Sequence, residues 1–271
     1  MIKRTSAYFS FTVLSLVLLL FTLSACNDDK NEEPDIWTIE DTIANFQAIE
    51  LTAGSITDVT LKLPSYPYNW DFRVIVPDTY NGGPTPLLIA LHGGANNLGS
   101  GFHTNTECYV EPGFEDLNAI IISPNSQGKQ WYEQQNIDQV MNLTYFALEY
   151  WPIDAERVAI GGYSDGGTGS WFFSEFFAET FSVGIAVSSS YITYNNEGGG
   201  RLIDTPLYVI HSDSDELFPL DSTVNWVSKA QEAGGHIQFE VAEGLSHYDP
   251  CDYVQYLQNA STWVNDSIWV D

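Results

Sequence analysis

The sequence predicts an α/β chain built on a doubly wound, mostly parallel sheet with antiparallel strands at its N-terminal side. Two patterns predict it. Apolar runs at 87–91, 119–122, 158–160, 183–187 and 207–210 are nearly continuous, as strands buried on both faces of a parallel sheet are. Stretches of helical period at 136–150, 166–179, 222–234 and 251–264 alternate with them, and strand alternating with helix requires right-handed crossovers. Ahead of these, 58–63 (DVTLKL) and 71–77 (DFRVIVP) alternate apolar with polar residues, the mark of antiparallel strands with one wet face. A further strand-like run lies at 237–241. In such sheets the ligand crevice lies beyond the carboxyl ends of the strands, so chemistry is sought there.

The N-terminus is read separately. Lys3 and Arg4 precede an apolar run over 8–23 that ends in Leu23-Ser24-Ala25-Cys26, a secretion signal rather than a fold element. The small residues before Cys26 resemble a bacterial lipobox, which implies a signal peptide over 1–25, a diacylglycerol on the Cys26 thiol and anchorage of an exported protein in a membrane. The run is short for a spanning helix, and no second one follows. Residues 26–36 are polar, charged and Pro-containing, too poor in apolar surface to fold, and read as a flexible acidic tether. The remainder, 37–271, suits one domain. The formal net charge is −27, which repels phosphate backbones and argues against nucleic acid as a partner. Neutral substrates are easier to admit, although the same acidity also keeps an exported chain soluble.

The run at 158–160 enters Gly161-Gly162-Tyr163-Ser164-Asp165-Gly166-Gly167, and a helical stretch follows. This is Gly-X-Ser-X-Gly in a strand, turn, helix setting. Ser164 is the candidate nucleophile, in a sharp turn that the glycines at 162 and 166 allow by letting the flanking backbones pass closely. The Asp165 amide, at the head of the helix, points where a negative oxygen would develop. Leu91-His92-Gly93-Gly94-Ala95 follows the run at 87–91, and its small residues let an amide of Gly94 or Ala95 complete a two-donor oxyanion hole. His92 reads as a brace for that loop rather than as a base.

An acid able to orient a base follows the run at 207–210, in His211-Ser212-Asp213-Ser214-Asp215-Glu216-Leu217-Phe218-Pro219. Asp213 and Asp215 are both candidates. The base is sought among five histidines, of which His103 and His236 match no motif and His92 and His211 read as braces. His247, in Gly244-Leu245-Ser246-His247-Tyr248, is a loop histidine whose ordinary pKa near 6.5 suits proton transfer at neutral pH.

From about residue 70 onward the chain resembles the α/β-hydrolase esterases that include polyhydroxybutyrate depolymerase-like proteins, feruloyl and acetyl-xylan esterases and dienelactone hydrolase relatives. Arg73-Val74-Ile75-Val76-Pro77, the His92 glycine loop, Asp154-Ala155-Glu156-Arg157-Val158 and the elbow carry the resemblance, together with the chain order Ser, Asp, His. It implies a carboxylic ester hydrolase working through an acyl-enzyme, with Ser164, Asp215 and His247 as catalytic residues. Asp215 is favoured over Asp213 because the stretch matches His-Gly-X-X-Asp-X-X-Val-Pro, with Ser212 and Phe218 as departures. Acyl or feruloyl groups on polysaccharide are the leading substrates. A polyester, a peptide, or glycan binding without catalysis are the alternatives. No metal or other cofactor is needed.

In an oxidising compartment Cys108 and Cys251 are expected to form a disulfide near the active edge of the sheet, against the alternative of two buried thiols. The stretch 188–205 is short, polar and Gly-rich, too little for a large lid. Among loop aromatics able to stack on a sugar or aryl acid, Trp131, Tyr163 and Tyr248 are the candidate substrate contacts.

Overall fold

The computed structural model describes residues 37–64, 66–96 and 101–270. The expected signal peptide, lipid site at Cys26 and acidic tether lie outside the described residues. Among the described residues eight strands form one sheet: β1 (Ile56–Leu61), β2 (Trp70–Ile75), β3 (Thr85–Leu91), β4 (Ile120–Pro124), β5 (Ile153–Tyr163), β6 (Val183–Val187), β7 (Leu207–Ser212) and β8 (Ile237–Ala242). Their order is β1-β2-β4-β3-β5-β6-β7-β8. β1 pairs antiparallel with β2, and β2 with β4; all other pairs are parallel. The alternating patterns thus mark the antiparallel side and the continuous runs the parallel centre, as expected from the sequence.

Among the described residues six α-helices cover the two faces: α1 (Ile39–Gln47), α2 (Val110–Phe114), α3 (Gln134–Tyr150), α4 (Asp165–Phe176), α5 (Leu220–Glu232) and α6 (Val254–Trp263). The strand period of two divides the core. Leu87, Ile89 and Leu91 of β3 pack in one cluster with Val140, Leu143 and Ala147 of α3 and Phe173 of α4. Leu88 and Ala90 point the other way, into a cluster with Val110 and Phe114 of α2 and Leu257 and Ala260 of α6. Each fully buried aliphatic side chain contributes about 1.5–3 kcal/mol. The central strands therefore hold their register firmly, because a one-residue slip would exchange the two faces.

Two helices were not expected. α1 is capped by Thr38, whose hydroxyl accepts from the Asp41 amide while Asp41 accepts from the Thr38 amide. Only Thr42 and Phe46 of α1 are buried, so it lacks a long apolar stripe. α2 has a single turn and little periodicity to read. The stretch 188–205 lies against α4: Tyr191 stacks on Trp171 at 5.7 Å, and Arg201 grips Glu175 through two hydrogen bonds of 2.8 and 3.0 Å. None of its residues lines the cleft at the sheet's carboxyl edge.

Candidate active site

β5 ends at Tyr163 and α4 begins at Asp165, so the whole change of direction falls on Ser164. Its backbone adopts φ 55° and ψ −119°, a strained region for a residue with a side chain, which costs on the order of 1–3 kcal/mol. The Ser164 amide donates to the Val187 carbonyl at 2.9 Å, and the Ser164 carbonyl accepts from the Thr168 amide at 3.0 Å. The flanking glycines leave room for nothing larger. A Cβ on Gly166 would stand 2.0 Å from the Leu91 carbonyl oxygen, and one on Gly162 would stand 2.4 Å from the Gly166 carbonyl.

Residues 164, 215 and 247 meet in a line. Ser164 Oγ is 3.0 Å from His247 Nε2, and His247 Nδ1 is 2.8 Å from Asp215 Oδ2. The other oxygen of Asp215 accepts from the amides of Leu217 and Phe218 at 2.9 and 2.8 Å. A carboxylate only accepts, so Nδ1 carries the imidazole hydrogen and the Nε2 lone pair faces the Ser164 hydroxyl. The Asp215 side chain is fully buried and that of His247 is 5% exposed. Asp213 is not part of this line: it is exposed and accepts from the Gly244 amide at 2.7 Å.

The imidazole is held from several sides. The Tyr163 hydroxyl donates to the His247 carbonyl. Burial pushes the Tyr163 phenol up, which keeps it a neutral donor. Glu216 accepts from the His247 amide at 2.7 Å, a bond that holds its carboxyl below the ordinary value. Ser212 donates to the Leu245 carbonyl at 2.7 Å, so the departure from glycine at 212 ties the two loops together. Phe218, the other departure, sets its ring edge-on to His247 at 5.2 Å. Sequence reasoning missed Glu216 as a contact, since its role depends on which loop folds opposite it.

The loop after β3 is braced as the sequence implied for His92. The Nδ1 hydrogen of His92 is donated to the Gly93 carbonyl at 2.8 Å, while Nε2 accepts from the Ser126 amide at 3.1 Å. Burial lowers the His92 pKa to about 4, which keeps this ring neutral. Two sequence assignments need correction. The Ala95 amide donates to Asp165 Oδ2 at 2.8 Å and is not available as an oxyanion donor. Trp131 is not a substrate contact: it is fully buried, its indole N–H donates to the His92 carbonyl at 3.0 Å, and its ring packs edge-on against the imidazole. Both were misread because a loop position says nothing about which neighbour covers it. Gly94, at φ +64°, lines the cleft beside Ser164 and His247.

That cleft encloses about 530 Å³. Its walls are Phe102, Tyr109, Leu217, Tyr248 and Pro250, with Asn105 as a polar contributor and Tyr163 beneath. Tyr248 is 65% exposed, at the rim, whereas Tyr163 is nearly buried with its hydroxyl already engaged. Cys108 and Cys251 form a disulfide, and the residues beside them, Tyr109 and Pro250, stand in the cleft wall. Among the described residues no group of three or more His, Cys, Asp or Glu side chains is placed to hold a metal ion.

No family model and no curated protein sequence matches the chain. Solved structures match it by shape. A thermostable esterase aligns with a TM-score of 0.61 at 22% identity, over 78% of this chain and 62% of that one, so the chain spans less than two thirds of that protein's length. The fluorophosphonate-binding serine hydrolase F of Staphylococcus aureus aligns at 0.64 with 17% identity, over 80% of this chain and all of that one. The chain has the α/β-hydrolase fold. A truncated carbohydrate esterase from gut microbiota shares that fold at a TM-score of 0.64 and 14% identity, over 82% of this chain and 99% of the other. The elbow after β5, the loop after β7 and the loop after β8 all open at the carboxyl edge of the sheet, and there Ser164, Asp215 and His247 meet.

Proposed function

We propose that this chain is a serine esterase in which Ser164 is the nucleophile, His247 the general base and Asp215 the acid that orients it. The observation that carries the reading is the continuous line from Ser164 Oγ through the imidazole to Asp215, at 3.0 and 2.8 Å. Ser164 Oγ attacks the ester carbonyl carbon while Nε2 of His247 takes the hydroxyl proton. Asp215 stabilises the imidazolium so formed. The carbonyl oxygen becomes an oxyanion facing the amides of Asp165 and Gly94. Collapse of this intermediate breaks the ester C–O bond, and the imidazolium returns its proton to the departing alkoxide. Water, deprotonated by His247, then attacks the acyl-enzyme, and the acid leaves as Ser164 regains its proton.

We assign the substrate to neutral acyl or aryl esters on a polysaccharide. The aromatic cleft wall, the net charge of −27 and the fold likeness to a carbohydrate esterase support that choice. Export and lipid attachment at Cys26 complete the reading, supported by the run ending in Leu23-Ser24-Ala25-Cys26. The full chain in detergent should hydrolyse 4-nitrophenyl acetate and react with a fluorophosphonate, and Ser164→Ala should do neither. Labelling that survives the substitution refutes the assignment. Acetylated xylan, methyl ferulate, a hydroxybutyrate oligomer and a peptide ester, assayed side by side, decide the substrate class. Cys26→Ser should abolish incorporation of labelled fatty acid.

A further inference from the structure

Asp165 has a backbone at the head of α4 and a side chain that reaches away from it. The peptide amide follows the candidate nucleophile directly, whereas the carboxylate crosses to the loop after β3 and accepts from the Ala95 amide at 2.8 Å. Among the described residues the other side-chain hydrogen bonds of the 92–95 loop go elsewhere. The His92 carbonyl accepts from Trp131, His92 Nε2 from the Ser126 amide at 3.1 Å, the Gly93 carbonyl from His92 itself, and the Ala95 carbonyl from the Ser126 hydroxyl at 2.8 Å. Those four bonds hold the loop to itself and to the segment ahead of α3. Among the described residues the Asp165 bond is the side-chain hydrogen bond that joins it to α4.

We infer that the Asp165 carboxylate is a positioning residue that sets the separation between the two halves of the oxyanion hole, the Asp165 amide on α4 and the Gly94 amide on the loop. The inference rests on the esterase reading and deepens it. Ala95 is fully buried, so removing the carboxylate takes away the partner of a buried N–H and unties the loop from α4, and the loop shifts. Gly94, next to it and already at φ +64°, moves with it. Oxyanion stabilisation depends on donors standing about 2.7–3.1 Å from the developing charge, so a small shift weakens the transition state and leaves ground-state binding nearly untouched.

The test uses the full chain in detergent with 4-nitrophenyl acetate, comparing wild type, Asp165→Asn and Asp165→Ala. Alanine cannot accept the Ala95 hydrogen, whereas the asparagine carbonyl oxygen can. Asp165→Ala should lower kcat about 10- to 100-fold with KM within about threefold, and Asp165→Asn, which restores the acceptor, should recover kcat by about fivefold or more over the alanine variant. Amide hydrogen exchange over 91–96, read by mass spectrometry, should quicken about tenfold or more in the alanine variant alone. Should the alanine variant fail to fold, Asp165→Ser, too short to reach the loop, carries the same expectation. A kcat for Asp165→Ala within about twofold of wild type, or an asparagine variant as impaired as the alanine one, overturns the inference. Absence of Ser164-dependent turnover in the wild type would sink the esterase reading instead. The exchange comparison then still decides the clamp, because unchanged exchange in Asp165→Ala overturns it without any catalysis.

Discussion

The imidazole of His247 has one hydrogen to place, and the buried carboxylate of Asp215 decides where it goes. Asp215→Asn keeps the size and removes that preference, so kcat should fall about 10⁴-fold with KM little changed, as steady-state kinetics on an aryl ester would record. His92 makes a different demand, since its pKa falls to about 4 when folded, from an ordinary value of 6.5. Between those values the unfolded chain binds a proton that the folded chain refuses. Stability is therefore fully present above about pH 6.5 and is lost as pH falls toward 4, by up to roughly 3 kcal/mol from this group. Urea midpoints measured from pH 7 to 4 should fall less steeply in His92→Gln than in wild type. Ser164 and its glycines were legible in the sequence because their constraint is local steric exclusion. Asp213 and Asp215 are the same residue type two positions apart, and they were told apart by a resemblance rather than by their own chemistry.

Among the elements, the cross-link between Cys108, just ahead of α2, and Cys251, just ahead of α6, closes a separation of 143 residues. In the chain-entropy picture a loop of that size stabilises by about 5 kcal/mol. Both cysteines are exposed, so dithiothreitol should reach the bond and lower the urea midpoint, and the double variant Cys108→Ala/Cys251→Ala should match the reduced protein. The variant should also turn over more slowly, because the disulfide anchors the chain four residues beyond His247. Strand centres were legible in the sequence, since burial on both faces leaves a continuous apolar run. Strand ends were not. β5 extends to Ile153–Tyr163, although Asp154, Glu156 and Arg157 are charged, because Ile153 pairs with Thr85 before the register shifts and Val158 pairs with Leu87. α4 stops at Phe176 although the apolar residues Phe177 and Phe181 continue, since both rings still pack on Phe173 after the backbone has turned away.

Over the whole molecule the acidic excess acts as a field rather than as pairs. A net charge of −27 repels itself in the compact state, and the repulsion is screened once the Debye length shrinks from about 30 Å in 0.01 M salt to about 10 Å in 0.1 M. The melting temperature should rise between those two concentrations by calorimetry, and a fall would show that attractive ion pairs dominate. The arrangement of the candidate site also belongs to this scale: Ser164 and His247 are 83 residues apart and share a hydrogen bond because parallel strands deliver their following loops to the same edge. By itself the order of residues determined the α/β class, the elbow and the roster of acids and histidines, because periodicity and steric exclusion act over short distances. Tertiary structure alone decided that the Ala95 amide is spent on Asp165, that Trp131 lies under His92, and that Glu216 holds the backbone of His247. Those are contacts between segments brought together by packing, and nothing within either segment specifies its partner.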